Sequence, residues 1–247
     1  MEKKLVLITG AAKRIGKAVA LSMAENGWDV AIHYNNSQGD AEDTLKQIKL
    51  LGANGHIFKA DLTNLQQTHA LLDEINKKLG VVTCLINNAS VFMNDTIEDF
   101  TAESWNENMA VNLHAPAILI KGFVNQLPAS HNGNIINMLD YAVWRYPEKF
   151  MSYTTSKAGL WTLTQQLAYS LAPRNIRINA IGPGNTLPNE SESEERFQKA
   201  RASSPLGTGA DPEEICNAVQ FILKASSMTG QMLALDGGKH LVGPEIY

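Results

Sequence analysis

Short apolar runs alternate with longer amphipathic stretches along the whole chain. The runs Lys4–Thr9, Val30–Tyr34, His56–Ala60, Val82–Asn87, Asn134–Leu139, Ile176–Ile181 and Gln231–Leu235 are short and almost continuously apolar, which predicts strands buried on both faces. Between them the spacing turns helical over Arg14–Asn26, Asp40–Leu51, Asn64–Leu79, Ala102–Leu127 and Ser152–Leu171, and another helix starts at Asp211. Gly27, Gly52 and Gly80 close the first three helices, Pro116 predicts a bend in the fourth, Pro173 ends the fifth, and Pro212 sits at the first position of the last. Strand and helix in alternation predict a single α/β domain, a doubly wound parallel sheet with helices on both faces. One stretch, 182–204, breaks the pattern. It is rich in Pro, Ser and Glu and reads as an irregular lid over the substrate.

Composition narrows the partners. The chain has 247 residues and a formal charge of −4, which suits one domain and gives no electrostatic reason to expect nucleic acid or an anionic membrane. No run approaches the ~20 apolar residues of a membrane span, and the apolar run after Lys3 and Lys4 is too short for a signal peptide, so the expected location is cytoplasmic. Cys84 and Cys216 stand far apart and read as small apolar residues. The six histidines show no metal-ligand spacing, so no metal is expected.

Two regions carry candidate chemistry. The run Thr9-Gly10-Ala11-Ala12-Lys13-Arg14-Ile15-Gly16 joins the first strand to the first helix. A turn there aims backbone N–H groups at a pyrophosphate. Arg14 reads as a guanidinium facing phosphate or substrate, ahead of a solvated first-turn residue. At the end of the second strand, His33-Tyr34-Asn35-Asn36-Ser37 offers no acid before Asp40, so nothing repels a 2′-phosphate, and the expected cofactor is NADPH. Asp61 and Leu62 are placed to bracket the adenine, and Asn87, Asn88 and Ala89 its ribose. The second region is Asp140 with Tyr153 and Lys157. Tyr and Lys four apart share a helix face. A phenol titrates at about 10, and an ammonium about 4 Å away contributes roughly 4 kcal/mol at an effective dielectric of about 20, enough to bring the phenol into use near neutral pH. Asp140 beside them would repel an oxyanion, which argues for a substrate nitrogen that gains a proton rather than for simple ketone reduction.

These residues, with Asn112 and Pro183-Gly184 and ending in Leu235-Asp236-Gly237-Gly238, resemble the short-chain dehydrogenase/reductases over essentially the whole chain. The resemblance implies a seven-stranded Rossmann sheet, a homotetramer, and a catalytic set of Asn112, Tyr153 and Lys157 in which Asp140 replaces the usual Ser. Lys13-Arg14-Ile15-Gly16, Asn88-Ala89-Ser90-Val91-Phe92 and Asp140 are further similar to pteridine reductases; Asp140 to Arg145 and Asp236 to Leu241 are similar to bacterial dihydromonapterin reductases. That likeness implies that Phe92 stacks on a pterin, that Ser90 makes a polar contact to pterin or cofactor phosphate, and that Asn112 holds a water in a relay to Lys157. Trp144 would close the site or pack in the core. The Thr common in the family four residues after Pro183-Gly184 is missing; Leu187 and Pro188 stand there, so Thr186 is expected to meet the carboxamide and Leu187 the substrate. His114 and His240 read as structural. The competing readings are a reductase of a ketone, such as a 3-oxoacyl thioester or a sugar, and a nucleotide-sensing protein with little turnover.

Overall fold

The computed structural model describes residues 4–189 and 192–242. Positions 190 and 191 of the expected lid and the first three residues lie outside this range. Seven strands, β1 (Leu5–Ile8), β2 (Asp29–Tyr34), β3 (Gly55–Lys59), β4 (Cys84–Asn87), β5 (Gly133–Met138), β6 (Ile176–Pro183) and β7 (Met232–Leu235), form one parallel sheet in the order β3-β2-β1-β4-β5-β6-β7. The order reverses between β1 and β4, and a crevice opens at such a switch point beyond the carboxyl ends of the strands.

The helices are α1 (Arg14–Glu25), α2 (Gln38–Leu50), α3 (Leu65–Leu79), α4 (Ala102–Met109), α5 (Ala115–Gln126), α6 (Met151–Leu171), α7 (Glu194–Ala202) and α8 (Pro212–Lys224). Alternation along β1 shows how they divide. Val6 and Ile8 join Val19, Met23, Val219 and Ile222 of α1 and α8, whereas Leu5 and Leu7 join Leu71, Ile75, Phe123 and Leu171 of α3, α5 and α6. All four β1 side chains are fully buried, which is why the strand reads as an unbroken apolar run. Among the described residues no helix is long and apolar enough to cross a membrane.

Two expectations about elements need correction. The helix expected over 102–127 is interrupted not at Pro116, which occupies the first turn of α5, but by a π-turn at Ala110–His114. That wider turn carries Asn112, and π-bulges recur at functional positions. The stretch expected to be irregular contains α7. Ser193 caps it, its Oγ accepting the Arg196 N–H at 3.3 Å, with Glu194 and Glu195 in the first turn and Lys199 and Arg201 in the last. Phe197 is its only buried residue, so no apolar period marks it in the sequence.

Candidate functional site

The turn after β1 is held from behind. Gly10 has φ +64°, and a Cβ there would lie 3.0 Å from Ala89 Cα; a Cβ on Gly16 would lie 2.1 Å from the Gly10 carbonyl oxygen. Thr9 Oγ1 accepts the N–H groups of Asn88 and Ala89, both at 2.9 Å, and the Asn88 amide donates to the carbonyls of Thr9 (2.9 Å) and Gly10 (3.1 Å). His33, expected to meet the cofactor, spends both ring nitrogens on the protein. Nδ1 accepts the Gly10 N–H at 3.1 Å, which places the ring proton on Nε2, 3.0 Å from the Ala60 carbonyl. Burial lowers its pKa from 6.5 to about 4, so the ring is neutral. Asn87 is likewise turned inward, donating to Asn137 Oδ1 at 2.8 Å.

A cleft of about 920 Å³ opens in front of this turn. Gly10, Lys13, Arg14, Ile15 and Gly16 line one part, His33, Tyr34, Asn35, Asn36 and Ser37 another, and Asp61, Leu62, Asn88, Ala89 and Ser90 a third. Glu103, Asn106, Glu107, Ala110 and Val111 of α4 and the π-turn also line it; sequence reasoning missed them because they come from a segment distant in the chain. The cleft suits an extended dinucleotide: its glycine turn leaves room where a Cβ would intrude, and the exposed Asn35 and Asn36 flank the β2 end without a carboxylate.

Asp140, Tyr153 and Lys157 meet outside the lining of this cleft, next to its residue Ser90. Asp140 caps the 3-10 turn Tyr141–Val143, its Oδ1 accepting the Ala142 N–H at 2.8 Å, and Oδ2 accepts the Tyr153 hydroxyl at 2.9 Å. Lys157 Nζ donates to the Met138 carbonyl at 2.9 Å and lies 5.7 Å from the Tyr153 ring centroid. The expected effect of the ammonium on the phenol is overturned. Burial and then the Asp140 charge push the phenol well above its usual value, while Ser90 draws it down. Burial raises the Asp140 carboxyl, against the Ala142 N–H, the phenol and Lys157, and with the help of Asp236. Burial lowers Lys157 to about 8, and Asp140 is the charge that opposes the fall. The ammonium therefore balances the carboxylate, not the phenol. Asp140 and Tyr153 titrate as a pair.

Asn112 joins the substrate side to the helices. Its Oδ1 accepts the Ser90 hydroxyl and the Val91 N–H, both at 3.0 Å; its Nδ2 faces the Val91 carbonyl (3.0 Å), Ser156 Oγ (3.1 Å) and Asn108 Oδ1 (3.2 Å). Phe92 stands next to this clamp, about half exposed. Its ring stacks on Phe150 with centroids 4.3 Å apart and meets Tyr153 edge-on at 4.6 Å. Phe150 escaped sequence reasoning because its left-handed backbone, φ +64°, gives no sequence signal in a non-glycine residue.

The remaining residues lie where β6 ends. Gly184 N–H donates to the Leu235 carbonyl at 2.9 Å, and a Cβ on Gly184 would come within 2.8 Å of Asp236 Cα. Pro183 is buried, and so is Thr186, whose hydroxyl donates to the Gly184 carbonyl at 3.2 Å. Arg14 lines the cleft and reaches the segment after β6. Its backbone is left-handed, φ +57°, and its guanidinium donates to the carbonyls of Pro188 (2.7 Å) and Leu187 (3.4 Å), an irregular segment with no helical partner for those oxygens. His240 pairs with Asp236 at 2.7 Å and packs edge-on against Trp144, whereas His114 is exposed. Cys84 and Cys216 are buried, and burial pushes both thiols up.

Residues 10–240 match the family described as Enoyl-(Acyl carrier protein) reductase. Among solved structures the chain is similar to FolM Alternative dihydrofolate reductase 1 from Brucella suis in complex with NADP, at 38% identity and a TM-score of 0.93 over 97% of this chain and 96% of that one. It is also similar to acetoin dehydrogenase YohF from Salmonella typhimurium, at 25% identity and a TM-score of 0.89 over 100% and 99% of the two chains. Among characterised sequences it is 28% identical to the 3-oxoacyl-[acyl-carrier-protein] reductase FabG of Staphylococcus aureus, over 96% of this chain and 98% of that protein.

Proposed function

The chain belongs to the short-chain dehydrogenase/reductase family, and from that premise we propose that it reduces a 7,8-dihydropterin, of the dihydromonapterin or dihydrobiopterin type, to the tetrahydropterin. The cofactor is NADPH, in keeping with the acid-free turn after β2 and with the NADP held by the similar FolM protein. When bound, it supplies a hydride to C6 of the pterin.

The observation that carries this reading is the Asp140–Tyr153 hydrogen bond at 2.9 Å. Reducing a C=N bond requires a proton at N5. Burial pushes both groups of the pair up, toward their protonated forms, and the phenol proton lies between them in that hydrogen bond. A carboxyl group next to the reacting atoms suits a nitrogen that gains a proton and opposes an alkoxide. Tyr153, coupled to Asp140, passes the proton to N5 directly or through a water. Lys157 holds the nicotinamide ribose and balances the Asp140 charge, and a water between Asn112 and Lys157 resupplies the proton. Phe92, half exposed beside Tyr153, stacks on the pterin, with Ser90, Arg14 and Leu187 around its edge. Thr186 meets the carboxamide.

Purified protein offered NADPH with dihydromonapterin, dihydrobiopterin and acetoacetyl thioester tests this. The expected result is the highest kcat/KM on a dihydropterin. Preference for the thioester, the second reading favoured by the likeness to FabG, would replace it. Tight NADPH binding with no turnover of any of the three would instead favour a nucleotide sensor. We further propose a cytoplasmic homotetramer, whose mass light scattering would read directly.

A further inference from the structure

A buried carboxylate lies outside the set described so far. Asp95 is 2% exposed and sits on the same loop as Phe92. Its Oδ1 accepts the Ser152 N–H at 2.9 Å, its Oδ2 accepts the hydroxyls of Ser152 and Ser104, and its backbone carbonyl accepts the Met151 N–H at 3.1 Å. Asp95 thus caps α6, the helix that carries Tyr153 and Lys157. The residue at the N-cap position, Phe150, provides no side-chain cap of its own.

The bonds beyond it all run one way. Asn112 Nδ2 donates to Asn108 Oδ1 (3.2 Å), Asn108 Nδ2 donates to Ser152 Oγ (2.7 Å), and the Ser152 hydroxyl donates to Asp95. A charged acceptor at the end of such a chain fixes the orientation of every amide in it. The Asn112 amide is thereby set with Oδ1 toward the Val91 N–H and the Ser90 hydroxyl, and Ser90 is the hydroxyl that reaches the Tyr153 phenol. Covalent chain from Val91 back to Asp95 closes the ring, so the loop bearing Phe92 is fastened at both ends. Burial works to raise the Asp95 carboxyl, but its hydrogen bonds from Ser152, Ser104 and Met151 outweigh burial and hold it below the usual carboxylate range, so the anchor stays charged at neutral pH.

We propose that Asp95 is a positioning residue: through Ser152, Asn108 and Asn112 it fixes the Phe92 loop against the start of α6, and so sets where the half-exposed Phe92 ring stands beside the Tyr153–Asp140 pair. The catalytic consequence rests on the reductase reading above; the structural consequence does not.

The test uses Asp95→Asn and Ser152→Ala in the full chain loaded with NADPH. Ser152→Ala keeps the Ser152 backbone N–H and the Ser104 hydroxyl on Asp95 but removes the hydroxyl that joins Asp95 to Asn108, so it remains informative if an Asp95 variant fails to fold. The expected result is residue-resolved hydrogen exchange at the Val91 amide at least tenfold faster in Ser152→Ala, with NADPH stoichiometry and Kd within threefold of wild type. The KM for whichever substrate the wild type reduces, dihydropterin or 3-oxoacyl thioester, should rise about tenfold. A merely structural role would lower kcat in proportion to lost NADPH sites and leave KM alone; that outcome overturns the proposal, as does Val91 exchange within twofold of wild type. If the wild type reduces neither substrate, the functional reading fails, and the Val91 exchange still decides on Asp95.

Discussion

Acid should loosen this protein through one buried ring. His33 is neutral in the fold with a pKa of about 4, against 6.5 for the ordinary side chain. Its folded value is depressed, so its contribution to stability is complete above pH 6.5 and is lost as pH falls toward 4. The difference corresponds to about 3 kcal/mol over that window. The structure gives the reason. Protonation would put a second donor at Nδ1, facing the Gly10 N–H at 3.1 Å, and would leave a charge in a site 2% exposed. The perturbation is His33→Asn, which retains an acceptor but does not titrate. Urea unfolding of both proteins at pH 7.5, 5.5 and 4.5 is the assay. At pH 7.5 the variant should be less stable by about 1–2 kcal/mol, for a lost buried hydrogen bond and some lost packing. That deficit should shrink or reverse by pH 4.5, and NADPH affinity should show the same convergence because the Gly10 turn is what the ring supports. Wild-type and variant stabilities that fall in parallel with acid would refute the reasoning.

Gly16→Ala should abolish NADPH binding, measured by fluorescence titration, because its Cβ would sit 2.1 Å from a backbone oxygen that cannot yield without moving the turn. Asp140→Ser should lower dihydropterin kcat by about 100-fold, the usual scale of a lost proton-transfer group, with NADPH Kd nearly intact; unchanged pterin turnover in steady-state kinetics would count against the proton role. Phe150→Gly relieves a left-handed backbone that costs a non-glycine residue about 1 kcal/mol but removes the ring stacked on Phe92. The expected outcome is a Tm close to wild type in a thermal melt together with a dihydropterin KM raised severalfold.

The strands were legible because both sheet faces are covered. Val6 and Ile8 on one side and Leu5 and Leu7 on the other are all buried, and a strand packed on both faces is apolar at most positions, the few polar ones such as His33 and Asn137 being hydrogen-bonded inside. The amphipathic helices were legible for the complementary reason: one face of each meets the sheet and the other meets water. What failed to show lacks a periodic signature. Helix α7 buries one residue, and its end charges and serine cap are weak signals inside a Ser- and Glu-rich stretch. The π-turn at Ala110–His114 adds one residue to a helical turn without changing the kind of residue found there. The cleft positions read from the glycine turn, the β2 end and the β3 and β4 ends do converge on one cavity, since each follows the carboxyl end of one of four neighbouring parallel strands. The Asp95 chain was invisible because its links join residues such as Asn108 and Ser152, 44 apart in sequence.

The electrostatics of the Tyr153–Lys157 pair shows where a spacing argument stops. Four residues on a helix place the two side chains on one face, and that much holds. The spacing says nothing about what else competes for the ammonium. Here the Met138 carbonyl accepts a hydrogen bond from Nζ at 2.9 Å and Asp140 is its charge partner, so the phenol is governed by burial and by a carboxylate. In a site with a serine in place of Asp140, lysine would be the dominant charge near the phenol and would favour its ionised form. With Asp140 in place the same lysine neutralises the carboxylate, and the phenol keeps its proton. The proposed imine reduction therefore rests on the identity of residue 140 more than on the Tyr–Lys spacing.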